Sequence, residues 1–127
     1  ALSAAPVHNC SHALGGLYHI PHGRANGVLL PVVMEELIEF YLPYASILGK
    51  AFAIPDGEPQ EVIHQVIARI RHLQEEISLP TDFAEFKIPA GDLERMVIAV
   101  ASDPLALLYH IEPEKIAVIA SRVIGSH

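Results

Sequence analysis

Apolar residues recur along this sequence at the spacing of an α-helix, and this constrains the fold more than any other feature. Val62, Ile63, Val66, Ile67, Ile70, Leu73 and Ile77 fall on one stripe of a helix, while Glu61, Gln65, Arg69, Gln74 and Glu75 fall mostly on the other. The spacing predicts a helix over 59–78. It predicts a second over about 91–101, where Asp92 helps to cap the start and Leu93, Met96, Val97 and Val100 form the buried face. A third is expected over about 113–124 with Pro113 at an early position, where its missing N–H costs nothing. The first half is less regular but also helical: about Leu2 to Leu14, ended by Gly15-Gly16, then a turn through Tyr18-His19-Ile20-Pro21, then Gly23 to about Tyr41 despite Pro31. Proline and glycine mark turns at Pro55-Asp56-Gly57, at Leu79-Pro80-Thr81-Asp82 and at Ser102-Asp103-Pro104. The expected fold is all-α, a bundle of about five to seven helices without a sheet, forming one domain over 1–127.

A content of 51% hydrophobic against 18% charged residues excludes a disordered chain. It is also rich for a small domain that covers its own surface, so some apolar surface is expected to meet a partner or a further segment. The net charge of -7 comes with no basic cluster beyond Arg69, Arg71 and His72, which argues against nucleic acid. No long apolar run suggests a membrane span, and the single cysteine, Cys10, excludes an internal disulfide and a Cys-based zinc cluster. A cytoplasmic, reducing setting is the default expectation. The chain opens on Ala1, with few residues ahead of His8, and is read as a cleaved or truncated product. Methionine processing or tag removal would also leave Ala1 first.

Of eight histidines, His8, His12, His19 and His22 frame one glycine-rich turn. His8 and His12 are spaced to share a helix face, and the turn returns the chain so that His22 lies beside the helix bearing His8. Two imidazoles at helical spacing are more often solvated or hydrogen-bonded than metal-ligating, and spacing alone leaves both readings open. A zinc-protease helix is excluded, because the residue after His8 is Asn9 and not the glutamate that chemistry needs. Gly15, Gly16 and Gly23 follow no strand and lack the spacing of a phosphate loop, so they read as close-packing positions. Cys10 is rotated away from His8 and reads as a small buried residue. Asn26 and Tyr18 read as structural before functional, the first bonding the turn and the second walling a pocket. His64, His72, His110 and His127 are scattered and expected to be exposed.

The unbroken run from His8 to Pro31 closely resembles the signature of iron-containing alcohol dehydrogenases: His-x-x-x-His-x-Leu-Gly-Gly, a short aromatic turn, Pro-His-Gly, then Asn-x-x-Leu-Leu-Pro. The likeness continues more weakly through a break near Gly49, Leu79-Pro80-Thr81, Ile88-Pro89 and Ser102-Asp103-Pro104, and covers essentially the whole chain. It implies the C-terminal part of a dehydroquinate-synthase-like helical domain. By position, His8 and His22 correspond to two metal ligands, and His12 to a catalytic histidine on the substrate side of the same site; His19 carries no transferable role. The metal implied is divalent, Fe2+ first and Zn2+ second. The implied reaction is interconversion of a small alcohol and its aldehyde, with NAD or NADP bound mainly by a domain not among these residues, in a homodimeric intact enzyme.

The chain also departs from that family. Its members bind the metal with one aspartate and three histidines, the aspartate and first histidine lying on an earlier helix that this chain does not contain. Where many relatives carry Asn-Pro-Arg, this chain has Leu108-Tyr109-His110, so that wall of the pocket differs. Two other readings stand beside the dehydrogenase: a stand-alone helical metal-binding or interaction module, and an enzyme similar to maleylacetate reductase. The run from Tyr18 to Asn26 sits nearer to the alcohol dehydrogenases.

Overall fold

The computed structural model describes residues 4–125 and contains seven α-helices and no strand among them. These are α1 (Ala4–Tyr18), α2 (His22–Glu36), α3 (Ile38–Tyr41), α4 (Ala45–Ala51), α5 (Pro59–Glu76), α6 (Leu93–Ser102) and α7 (Pro113–Ile124), with short 3-10 turns between them. The expected start at Leu2 and the residue His127 lie outside the described residues. No described helix is long and apolar enough to cross a membrane.

Helix α2 is the centre of the molecule. Its Val28, Leu29, Val32 and Val33 pack with Val7, Cys10 and Leu14 of α1, Met96 and Val100 of α6, and Ile116, Ile119 and Val123 of α7. Its Met34 belongs to a second cluster with Val62, Ile63, Val66 and Ile67 of α5, joined by Tyr41, Ala45 and Ile54. A helix buried on two sides must be apolar around most of its circumference, as the stretch from Val28 to Met34 is.

Helices α5 and α7 form close to where the apolar period places them, and Pro113 stands at the first position of α7. Helix α5 is started by Glu58, whose carboxylate accepts from the backbone N–H groups of Gln60 and Glu61 at 3.3 and 3.0 Å. The far end of its stripe departs from expectation. Leu73 and Ile77 are exposed, whereas Gln74 is buried and donates its side-chain amide to the carbonyl of Gly27 at 2.7 Å. The stripe from Val62 to Ile70 continues at 74, one turn on, and leaves 73 and 77 turned aside.

Three further expectations are corrected. Gly15-Gly16 does not end α1, which runs on to Tyr18. The reversal is made one turn later by His19 at φ 56°, with the Ile20 N–H returning to the Gly15 carbonyl at 3.1 Å and the Ile20 side chain buried. Gly15 has a packing reason to be glycine, since a Cβ there would stand 3.3 Å from the Ile20 carbonyl oxygen. The helix expected from Gly23 to Tyr41 is interrupted at Leu37 (φ −117°, ψ 39°), and α4 forms in a stretch with no assigned helix. Asp92 makes no capping hydrogen bond to α6; its carboxylate accepts instead from the Tyr18 hydroxyl at 2.9 Å, tying the end of α1 to the start of α6. Burial, and then that bond to Asp92, pushes the Tyr18 phenol up to about 12.

The apolar surplus is visible at the surface. Leu107 is 92% exposed, and Leu108, Ile77 and Ile47 are also largely open.

Candidate metal centre

His8 lies in the second turn of α1, and His22 is the first residue of α2. The reversal at His19 brings the two rings together, their centroids 5.6 Å apart and their planes at 60°. With metal–nitrogen bonds of about 2.1 Å, two imidazoles on one tetrahedral ion hold their centroids roughly 5–5.5 Å apart, so this separation fits a shared ion. The first turn of α2 is itself anchored: Arg24 pairs with Glu85 and lies over the Phe86 ring, its guanidinium carbon 5.8 Å from the centroid.

Two features set how strongly these histidines alone would hold a cation. Among the described residues no group of three or more histidine, cysteine, aspartate or glutamate side chains has metal-binding geometry. The site also sits at the amino end of α2, where the helix dipole is positive and opposes a cation, so an added carboxylate ligand is the natural complement. The side-chain amide of Asn26 lies 3.0 Å from His22 Nε2. This contact, one helical turn along, replaces the turn-bonding role expected of Asn26. Coordination through Nε2 requires Asn26 to give it up, whereas coordination through Nδ1 puts the ring proton on Nε2 and requires the Asn26 amide to turn its oxygen toward it.

His12 has a partner of its own. Its Nδ1 lies 2.5 Å from Oδ2 of Asp103, which follows the last residue of α6. The imidazole is 60% exposed while the aspartate carboxyl group is only 6% exposed, so a fixed, buried side chain holds an open ring. Asp103 reads from sequence only as part of a turn. A side-chain oxygen at the start of the Pro104–Leu107 turn is legible as a cap, and Oδ1 does accept from the Leu105 N–H at 2.9 Å. The second bond, to a histidine 91 residues earlier, has no local signal. Cys10 is buried on the core side of α1, and burial, then the charge of Asp103, pushes its thiol up to about 12. His64, His72 and His110 are exposed, as their scatter suggests.

The domain is helical and its reversal brings two histidine rings together, and comparison with known proteins gives the family. Residues 1–122 match the Fe-containing alcohol dehydrogenase family, C-terminal, and the chain belongs to that family. It is 31% identical over 114 residues to alcohol dehydrogenase 4 of Saccharomyces cerevisiae, covering 90% of this chain and 29% of that protein. It is 33% identical over 101 residues to 1,3-propanediol dehydrogenase of Klebsiella pneumoniae, covering 76% of this chain and 26% of the relative. The crystal structure of a 1,3-propanediol oxidoreductase superposes with a TM-score of 0.75 at 28% identity, covering 93% of this chain and 32% of that one. The chain thus spans under a third of the length of the relatives it matches, and those relatives are oxidoreductases acting on alcohols.

Proposed function

We propose that this chain is the C-terminal, metal-binding portion of an NAD(P)-dependent, metal-dependent alcohol dehydrogenase that interconverts a small alcohol and its aldehyde. The observation that supports the reading best is the approach of His8 and His22 to a separation suited to one divalent ion. His8 and His22 are the ligands supplied by these residues, and a carboxylate and a further histidine come from a preceding part of the full protein. Neutral imidazoles suit Fe2+ and Zn2+ alike, and the family's description puts Fe2+ first, leaving Zn2+ second. When bound, the ion supplies Lewis-acid polarisation of the alcohol oxygen.

The chain's own residues supply the rest of this side of the site. His12 accepts the hydroxyl proton at Nε2 in the oxidising direction and returns it in the reducing one. In this reading NAD or NADP is bound mainly by a domain outside these residues, as the likeness to the family implies. Short primary alcohols and diols are the substrates to try first, following the names of the relatives. The intact enzyme is proposed to work in the cytoplasm as a homodimer.

The test is metal analysis and NAD(P)-linked turnover of the full-length protein. One divalent ion per subunit, removed by chelation together with activity and restored by Fe2+ or Zn2+, is expected. Undiminished alcohol oxidation by a metal-free preparation would overturn the proposal.

A further inference from the structure

We propose that Asp103 is a positioning residue that fixes the tautomer of His12, holding its proton on Nδ1 so that Nε2 presents a lone pair on the open side of the ring. This rests on the reading of His12 as the proton acceptor. The two carboxylate oxygens of Asp103 have separate partners: Oδ1 accepts from the Leu105 N–H at 2.9 Å, and Oδ2 faces His12 Nδ1 at 2.5 Å. The backbone around the carboxylate is fixed as well, since the Asp103 N–H returns to the Val100 carbonyl at 3.3 Å at the end of α6.

An ionised carboxylate accepts and cannot donate, so the imidazole nitrogen facing it must carry the proton. A neutral imidazole has one N–H, and Nε2 is then left bare, the form an acceptor of a hydroxyl proton needs. Nε2 makes no hydrogen bond to another described residue, and the 60% exposure of the side chain leaves that edge accessible. On proton transfer the ring becomes a cation, and the buried charge beside Nδ1 stabilises it.

The same geometry separates orientation from support. In Asp103→Asn the amide has only one oxygen. If that oxygen keeps the Leu105 N–H, the amide N–H2 faces His12 Nδ1 and drives the ring to the Nε2–H form, in which Nε2 cannot accept. Asp103→Ser keeps a capping hydroxyl for Leu105 and leaves His12 free to sample both forms. Asn and Ser cap about equally well, so a purely structural role for Asp103 predicts similar losses in the two variants.

The experiment uses the full-length enzyme with its metal bound. Long-range 1H–15N correlation spectra of histidine-labelled protein report the His12 tautomer, and steady-state kinetics report turnover. Expected are an Nδ1–H ring in the wild type, an Nε2–H ring in Asp103→Asn, and a kcat for Asp103→Asn lower by about 100-fold or more with little change in KM. Asp103→Ser is expected to lose clearly less. An unchanged tautomer in Asp103→Asn, or equal losses in the two variants, would overturn the assignment. A wild type with no alcohol turnover at all would defeat the proposed function instead, and the tautomer measurement would still decide the role of Asp103.

Discussion

At the scale of single residues, the three histidines of the candidate site have different neighbours. His8 and His12 share α1, yet it is His8 and His22, from two helices, whose rings meet, while His12 is held by Asp103. In the full-length protein His22→Ala is therefore expected to cost metal occupancy and activity together. His12→Ala should cost activity by about 100-fold with the metal largely retained, as loss of a proton acceptor does. Metal analysis beside turnover of the two variants checks both. Gly125 gives a residue-scale test of stability. It holds φ at 77°, and a Cβ there would lie 2.7 Å from the carboxyl carbon of Asp82. Gly125→Ala is expected to destabilise the fold by about 1–3 kcal/mol, measured as a lower urea midpoint.

Within elements, the instructive position is Pro31 in the middle of α2. A proline has no N–H for the carbonyl four residues back, here that of Gly27, which would be left without its helical donor. Gln74 of α5 supplies the missing hydrogen bond at 2.7 Å, and so a polar residue occupies the buried stripe of α5. Gly27 has no side chain because Leu79 fills the space; a Cβ would stand 2.8 Å from a Leu79 methyl. Gln74→Ala is expected to cost about 1–3 kcal/mol by leaving that carbonyl unpaired. In a Pro31→Ala background, where an N–H is restored, the same change should cost about 1 kcal/mol less, a coupling that a double-mutant cycle of denaturant midpoints would read. Additive losses would separate the proline from the glutamine.

For the whole molecule, charged residues tie three helices together at one end of the bundle. Glu35 of α2 accepts from Arg71 of α5 at 2.8 Å and from Arg122 of α7 at 2.6 Å, and Arg122 also reaches Glu36 at 2.9 Å. Burial pushes the Glu35 carboxyl up, but the hydrogen bonds from Arg122 and Arg71 outweigh it and hold the group below its ordinary value of 4.5. Because the folded-state value is the lower one, this knot contributes stability above pH 4.5 and loses it as pH falls through the folded value. Urea titrations from pH 7 downward should show that loss, and Glu35→Gln should flatten it. The 127-residue chain by itself is expected neither to bind a dinucleotide nor to oxidise alcohols, because it supplies only half of the expected ligand set. Turnover by this chain with added NAD and metal would contradict that.

The helical class, the positions of α5 and α7 and the family were all legible along the chain, because apolar period and a long unbroken motif are local properties of sequence. So was the pairing of His8 with His22, although the expected hinge at Gly15-Gly16 was one turn early: Gly15 is closely packed against Ile20, Gly16 and Gly23 have open space where close packing was expected, and His19 makes the left-handed turn. What only the tertiary structure decided is which distant groups complete those local choices. Asp103 beside His12, Gln74 beside the carbonyl freed by Pro31, and Asp92 beside Tyr18 each join residues far apart in the chain. Their partners are selected by how helices dock, and a hydrogen-bond partner chosen by docking leaves no periodic mark in the sequence.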